Sequence, residues 1–288
     1  MATTCSEKNI QGHPCFGGNH HKNGRMHLAV APLCNIKCGY CTRRHDCANE
    51  NRPGVTSRLL TPMEAIERVR EVMASQILGP IIKVIGIAGP GDPLANDETF
   101  ETFALIGREF PHLIKCMSTN GLLLREKVSL LNELELCSLT ITINALDPKV
   151  AARIYSYINY HDKRYTGVEA AEILISNQLE GLRMAAGFGM TVKVNTVLIP
   201  GINEEEVPLL AKRVKELGAS VMNVMPVIPQ ADFSHITPPN VNKMEVIRSA
   251  NEKIIEQMRH CRQCRADAVG LIGEKPEFAS LGCEIKGR

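Results

Sequence analysis

Cys34, Cys38 and Cys41 stand at C-x3-C-x2-C spacing within residues 31–47, directly after a short apolar run. Three thiolates on one tight loop can hold three irons of a [4Fe–4S] cluster and leave the fourth iron to a ligand that is not protein. Electron-transfer ferredoxins use C-x2-C-x2-C or C-x4-C-x2-C with a fourth cysteine, which is not the spacing here. A zinc or purely structural thiolate cluster is the competing reading. A second pair, Cys261 and Cys264, has C-x2-C spacing among Arg259, Arg262 and Arg265. Such a pair is half of a zinc or cluster site, and the arginines can offset the negative charge of thiolates. A structural zinc would need further ligands, and Cys15, His20 and His21 in the Gly-rich leader are unclaimed.

The chain carries eleven cysteines, too many for one cluster. With no secretory pattern at the N-terminus, they read as reduced thiols or metal ligands before disulfides. Cys116 lies in an expected strand just before its C-terminal end, and Cys47 lies beyond Cys41. Either alone is more often a buried small hydrophobe or a spare surface thiol. His27 lies in the first expected strand, where a lone histidine is usually a satisfied core residue, yet it alternates with Ala29 and Ala31 and leaves room for something bulky. Cys5, Cys137 and Cys283 read as ordinary thiols.

Composition bounds the partners. A chain of 288 residues with 44% hydrophobic content can bury one large α/β core. A net charge of +2, 4% aromatic residues and no Trp give no case for nucleic acid or a membrane surface. No apolar run approaches a membrane span, so a cytosolic, anaerobic location is expected.

These residues need a scaffold. Apolar runs at 26–31, 81–88, 113–117, 139–143, 191–198 and 220–225 read as strands, and amphipathic segments between them read as helices. Thr61-Pro62-Met63-Glu64 opens the first helix, Asn96 or Asp97 the second, and the last runs from about Asn240 to Arg259. Polar and turn residues collect after the strands, which is the βα pattern of a parallel sheet curled into a barrel. The expected fold is α/β, a partial (βα)6 TIM-like barrel over residues 25–259, with a cysteine-bearing leader 1–24 pinned by a metal and a tail 260–288 across the barrel mouth.

The C-x3-C-x2-C spacing is that of radical S-adenosylmethionine (SAM) enzymes, in which the amino and carboxylate groups of SAM take the open iron. Tyr40 fits as well, since the position before the last cysteine commonly lies against the adenine. Gly89-Pro90-Gly91-Asp92-Pro93, after the second strand, resembles the second SAM-binding element of these enzymes, which often reads Gly-Gly-Glu. Ser118 and Asn120, Thr142 and Asn144, and Lys193 and Asn195 place polar side chains near the ends of the next three strands, and Ile199 follows the last of these. They are candidates for the SAM carboxylate, ribose and adenine; each alone is equally well a cap or turn residue.

The combination His13-Pro14-Cys15, Arg25-Met26-His27, Ala31-Pro32-x-Cys34-Asn35-Ile36-x-Cys38-x-Tyr40-Cys41, Asp46-Cys47-Ala48-Asn49-Glu50, Arg52-Pro53-Gly54-Val55, Gly86 to Asn96 and Arg259 to Gly270 strongly resembles the NifB family of radical SAM enzymes, over nearly the whole chain. The resemblance implies the short form found in methanogenic archaea, without the NifX-like domain of many relatives. It implies a SAM-binding [4Fe–4S] cluster on Cys34, Cys38 and Cys41, and two further [4Fe–4S] clusters as substrate. These are fused into the Fe8S9C precursor of the nitrogenase cofactor. One SAM donates a methyl to a cluster sulfide, another is cleaved to the 5′-deoxyadenosyl radical that abstracts hydrogen from it, and a ninth sulfur is added. On this basis His27, Cys47 and Cys116 are assigned to one substrate cluster and Cys15, Cys261 and Cys264 to the other. Glu50 and Arg52 are assigned to substrate contact or proton relay. A cluster donor protein, an electron donor and a downstream cofactor carrier are the implied partners. Two other readings stay open: a radical SAM activase or peptide-modifying enzyme with electron-transfer clusters, and a non-catalytic iron–sulfur scaffold.

Overall fold

Apolar runs ending in Gly, Pro or Asn become the strands of one parallel sheet, because helices cover one face and the chain must return to the same end after each. The computed structural model of the protein describes residues 12–16, 19–42, 44–47, 50 and 52–273; Cys5, Cys283 and parts of the expected leader and tail lie outside them. In chain order the elements are β1 (Gly24–His27), β2 (Ile36–Cys38), α1 (Pro62–Ala74), β3 (Ile82–Ile87), α2 (Asp97–Glu109), β4 (Ile114–Thr119) and α3 (Leu124–Glu133). They continue with β5 (Ser138–Thr142), α4 (Pro148–Ala151), β6 (Tyr155–Tyr160), β7 (Lys163–Tyr165), α5 (Gly167–Gly187) and β8 (Thr191–Leu198). The last are α6 (Glu206–Glu216), β9 (Val221–Pro226), α7 (Val241–Glu252), β10 (Glu256–Gln257) and β11 (Val269–Gly270).

The main sheet has the order β10-β9-β8-β5-β4-β3-β1-β11. Every neighbouring pair is parallel except β1 with β11. The six expected strands are all present, and the fold is an α/β partial barrel. Its two faces differ. Ile85, Met117, Leu139, Ile141, Val192, Val194 and Met222 point to the helices, where they join Ile66, Val69, Phe103, Leu131 and Leu210 in the principal core. Each such side chain, removed from water, contributes roughly 1.5–3 kcal/mol. The alternate residues are polar or small, among them Arg25, His27, Gly86, Cys116, Ser118, Thr140, Lys193, Asn195 and Asn223, and they share the inner face. Such an inner face suits a polar ligand rather than a packed barrel core.

Besides β1, which runs over Gly24–His27 rather than 26–31, three elements depart from expectation. The last helix stops at Glu252 rather than near Arg259, and residues 256–257 pair with β9 instead. The stretch after β5 forms a hairpin, β6–β7, that pairs with β2 in a small antiparallel sheet and so ties down the strand ending in Cys38. The tail adds β11 to the sheet edge beside β1 and is thus an integral strand rather than only a cover over the mouth. Thr61 and Glu64 form the expected capping box of α1. Asn96 stands at the N-cap of α2 but makes no side-chain cap bond, because its amide is used elsewhere. Among the described residues no helix is long and apolar enough to cross a membrane.

Candidate metal centre

The loop of Cys34, Cys38 and Cys41 is clamped from three sides, and all three thiols are partly accessible. The Gly89–Pro93 turn holds its entry: Gly91 N–H donates to Ala31 O at 2.6 Å and Asp92 N–H to Leu33 O at 2.8 Å. Asn96 completes that clamp, donating to Leu33 O at 2.9 Å and accepting from Leu33 N–H at 3.0 Å. Asn96 was expected to act as a helix cap; its work here is to fix the residue before Cys34. On the exit side, Gln230 Nε2 donates to Tyr40 O at 2.8 Å and Phe233 N–H to Gly39 O at 3.2 Å. Beneath lies an apolar floor in which Cys34, Cys38 and Tyr40 pack with Ile36, Tyr155, Val197 and Ile199.

Several residues expected to touch SAM have their polar groups committed to the protein. Asp92 is buried, and its carboxylate accepts from Thr119 Oγ1 at 2.9 and 3.0 Å, Asn120 N–H at 2.6 Å and Leu94 N–H at 3.0 Å. Burial pushes it up to about 6 against those bonds. It braces the turn against β4 and offers no free acceptor edge. Asn144 donates to Tyr40 Oη at 2.9 Å and Tyr155 Oη at 3.0 Å and accepts from Val197 N–H at 2.9 Å, so it positions Tyr40. Burial raises the Tyr40 phenol, which stays neutral. Ile199 is fully buried with its N–H on Asn203 Oδ1 at 2.8 Å, and Thr142 O accepts from Gln178 at 2.9 Å. Asn195 Oδ1 accepts from Asn223 at 3.1 Å. Ser118 lies on the inner face beside Thr140. Lys193, expected near a strand end, is the third residue of β8 and lies deep in the barrel.

Asn120 reaches the cluster loop itself. Its Nδ2 donates to Asn35 Oδ1 at 2.7 Å and lies 3.9 Å from Cys34 Sγ, while Asn35 Nδ2 is buried without a partner. Unpartnered amide protons beside a thiol fit a group rich in sulfur acceptors, and a SAM-bound [4Fe–4S] cluster on the three cysteines is such a group. A cleft bounded by Cys34, Cys41, Arg52, Pro90, Gly91 and Gln230 opens beside them. Asn120→Ala should lower the potential of that cluster by on the order of tens of millivolts, since hydrogen bonds to cluster sulfur favour the reduced form. Titration monitored by electron paramagnetic resonance (EPR) measures this, and an unchanged potential removes Asn120 from that role.

Of the other ligand-type residues, His27 and Cys116 lie on the inner face of the sheet. His27, Gly86 and Cys116 are lateral neighbours across β1, β3 and β4. A Cβ on Gly86 would come within 2.9 Å of the His27 ring, so the glycine makes room for the imidazole. His27 Nδ1 donates to Arg265 O at 3.0 Å, which leaves Nε2 as the lone-pair nitrogen. Burial, then the Arg25 charge, holds this imidazole down to about 4, so it is neutral at pH 7. Cys15 lies within electrostatic reach of Cys116, Cys264 and Cys261, and burial pushes its thiol up to about 12. Burial also raises Cys116. Binding iron at either would therefore release a proton. Cys47 is held by N–H bonds to Thr56 O at 3.0 Å and His45 O at 3.2 Å, and its carbonyl accepts from Arg265 at 2.8 Å. Among the described residues no three His, Cys, Asp or Glu side chains close on one point as a single metal ion requires. A cluster spreads its ligands, one to an iron.

The arginines around Cys261 and Cys264 divide their work differently from expectation. Arg259 pairs with Glu245 and Glu252 at the surface at 2.7 and 2.6 Å. Arg265 ties the tail to Cys47 and to Glu50 O, and pairs with Asp267 at 2.7 Å. Arg25 lies 3.1 Å from Cys264 Sγ and donates to Gly270 O and Leu271 O in the tail, and Arg248 lies within electrostatic reach of Cys261. In the sequence Arg25 stands in the Arg25-Met26-His27 motif without an assigned role. Arg52 pairs with Glu50 at 2.5 Å and bonds Gln230, joining those two residues to the exit side of the loop. The described leader is held by ring stacking of His20 on His260 at 4.4 Å and by a bond from His260 Nε2 to Pro14 O at 2.9 Å.

Comparison with known proteins agrees with this geometry. The profile of the Radical SAM superfamily matches residues 28–214. The FeMo cofactor biosynthesis protein NifB of Chlorobaculum tepidum is 43% identical over 92% of this chain and 63% of its own length. The protein of that name from Methanocaldococcus jannaschii is 46% identical over 91% of this chain and 87% of its own. The chain thus spans less than two thirds of the Chlorobaculum protein and most of the Methanocaldococcus one. Among solved structures, Streptococcus suis SuiB bound to S-adenosylmethionine matches with a TM-score of 0.58 at 13% identity, over 83% of this chain and 51% of that one, a likeness of fold. With the cysteine loop and these matches together, the chain belongs to the radical SAM superfamily and, within it, to the NifB family.

Proposed function

We propose that this chain builds the Fe8S9C precursor of the nitrogenase cofactor by fusing two [4Fe–4S] clusters around a SAM-derived carbide, with one sulfur added. What supports the reading is a surplus of ligand-type residues beyond the loop's own three cysteines: His27 and Cys116 share the inner face, Cys15 lies within electrostatic reach of Cys116, Cys261 and Cys264, and Arg265 bonds both His27 and the Cys47 carbonyl. In a peptide-modifying enzyme the same residues would serve only to hold electron-transfer clusters.

Cys34, Cys38 and Cys41 hold the loop cluster, which with SAM supplies methyl transfer and hydrogen abstraction. Tyr40, held by Asn144, and the floor around Ile199 shape the apolar side of the SAM cleft. Pro90 and Gly91 line the cleft beside Cys34 and Cys41. His27, Cys47 and Cys116 hold one substrate cluster, and Cys15, Cys261 and Cys264 the other. Three ligands to each leave an iron open, as a cluster that is to be joined and released requires. Glu50 and Arg52, paired at the mouth, are set to contact substrate or move a proton there. A cluster donor, an electron donor and a carrier that takes the product complete the reaction.

Anaerobic reconstitution should give about twelve irons per chain, and reduction with SAM should give both S-adenosylhomocysteine and 5′-deoxyadenosine. About four irons, or neither product, would overturn the proposal.

A further inference from the structure

Lys193 carries a buried ammonium that has no anionic partner among the described residues. The residue is 7% exposed. Register places it beside Thr140 and Val221, on the inner face that also bears Cys116. Its Nζ lies 3.6 Å from Met258 Sδ and 5.4 Å from the Phe16 ring centroid. A thioether is a weak acceptor and a ring face a weak counter-charge. Among the described residues no carboxylate pairs with it, although a buried cation ordinarily has an anion. The other cation of that face is already used, since Arg25 is bonded to the tail carbonyls and lies on Cys264.

The surroundings say what the anion is. Phe16 follows Cys15, and Met258 leads into the segment of Cys261 and Cys264. The ammonium also exerts its charge on His27 and Cys116. It therefore faces members of both proposed ligand sets. Within electrostatic reach of Lys193, His13 Nε2 is buried without a partner, a second polar atom left unsatisfied. Five thiolates and one neutral imidazole around two dicationic cluster cores leave net negative charge, which grows on reduction. Once each is reduced by one electron, both bodies are negative and repel.

We propose that Lys193 is the fixed counter-charge of the substrate, pairing with the cluster at each ligand set so that the two are held close enough to join. This rests on the reading of two substrate clusters given above. It makes Lys193 a residue of the fusion step rather than a SAM contact.

The test uses the full chain, reconstituted anaerobically with iron and sulfide, as wild type, Lys193→Met and Lys193→Arg. Met is close in shape and lacks the charge; Arg keeps it. The Met variant should retain the loop cluster and SAM cleavage while losing its other iron to a chelator, under reducing conditions, about tenfold faster than wild type. Arg should restore most of the retention. Before reconstitution the sign reverses: the Met variant should melt at a higher temperature than wild type, because a desolvated, unpaired ammonium has been removed. Equal iron retention in the Met variant and wild type overturns the assignment. So does an Arg variant as leaky as the Met variant, or a cluster-free Met variant that melts lower than wild type, which would make the ammonium structural. If wild type itself holds only about four irons, the two-cluster reading fails first, whatever the variants do.

Discussion

Gly91→Ala is expected to strip the loop cluster from the protein and abolish SAM cleavage. A Cβ at this position would lie 2.1 Å from Leu33 O, 2.5 Å from Leu33 C and 2.7 Å from Pro32 O. All three are backbone atoms, so no side-chain rotation relieves the overlap. The turn must move off the segment that enters Cys34. Two bonds then go, Gly91 N–H to Ala31 O and Asp92 N–H to Leu33 O, which fix the chain up to the residue before the first cysteine. A displacement of about 1 Å in catalytic positioning can cost a hundredfold in rate, and here the displaced group is a cluster ligand. Iron should fall from about twelve to about eight per chain, with 5′-deoxyadenosine formation down at least about a hundredfold. Circular dichroism should show the helices intact, since α1 and α2 pack on the far face of the sheet. Wild-type cleavage by this variant would mean that the turn is not what holds the loop.

The same contrast between turn and loop explains what the sequence could and could not reveal. Strands such as 82–87 and 191–198 were legible because a buried parallel strand needs an unbroken apolar run and the turn after it needs Gly, Pro or Asn. The cysteine loop was legible because cluster ligation fixes spacing. Position along a strand was not. Lys193 and Asn195 share a face by period two, but only the register with Thr140 and Thr142 shows that Lys193 sits a turn of pleat deeper. Nor do residue types say whether a polar group is free. Asp92 and Asn144 have the chemistry of SAM contacts, yet neighbouring N–H and O–H groups already occupy them. The β6–β7 hairpin turns at His161 and Asp162, both in the left-handed region at φ 47° and 58°. Asp in such a turn was the available signal, and the tyrosines around it obscured the alternation. The two-residue strand β11 is too short for any periodicity to show.

His27→Ala should leave the loop cluster and SAM cleavage in place and stop formation of the Fe8S9C product. The imidazole is oriented before any iron arrives: Arg265 O accepts its Nδ1–H, and Gly86 leaves space where a side chain would displace the ring. Held to about 4, it needs no deprotonation above that pH, unlike the buried thiols of Cys116 and Cys15. Neutral imidazole is also a weaker anchor for iron than thiolate, which suits a ligand that must let go when the product leaves. The alanine variant should still yield 5′-deoxyadenosine, while the EPR signal of one substrate cluster disappears. Undiminished product would remove His27 from the ligand set. His27→Cys separates binding from release: a thiolate there should restore the iron count yet retain the finished cluster, so that transfer to an acceptor protein slows about tenfold or more, the scale of a change in a metal site's supporting ligation. If His27→Cys both loads and transfers like wild type, the imidazole is only one acceptable ligand among others, and the ease of its departure is not what sets product release.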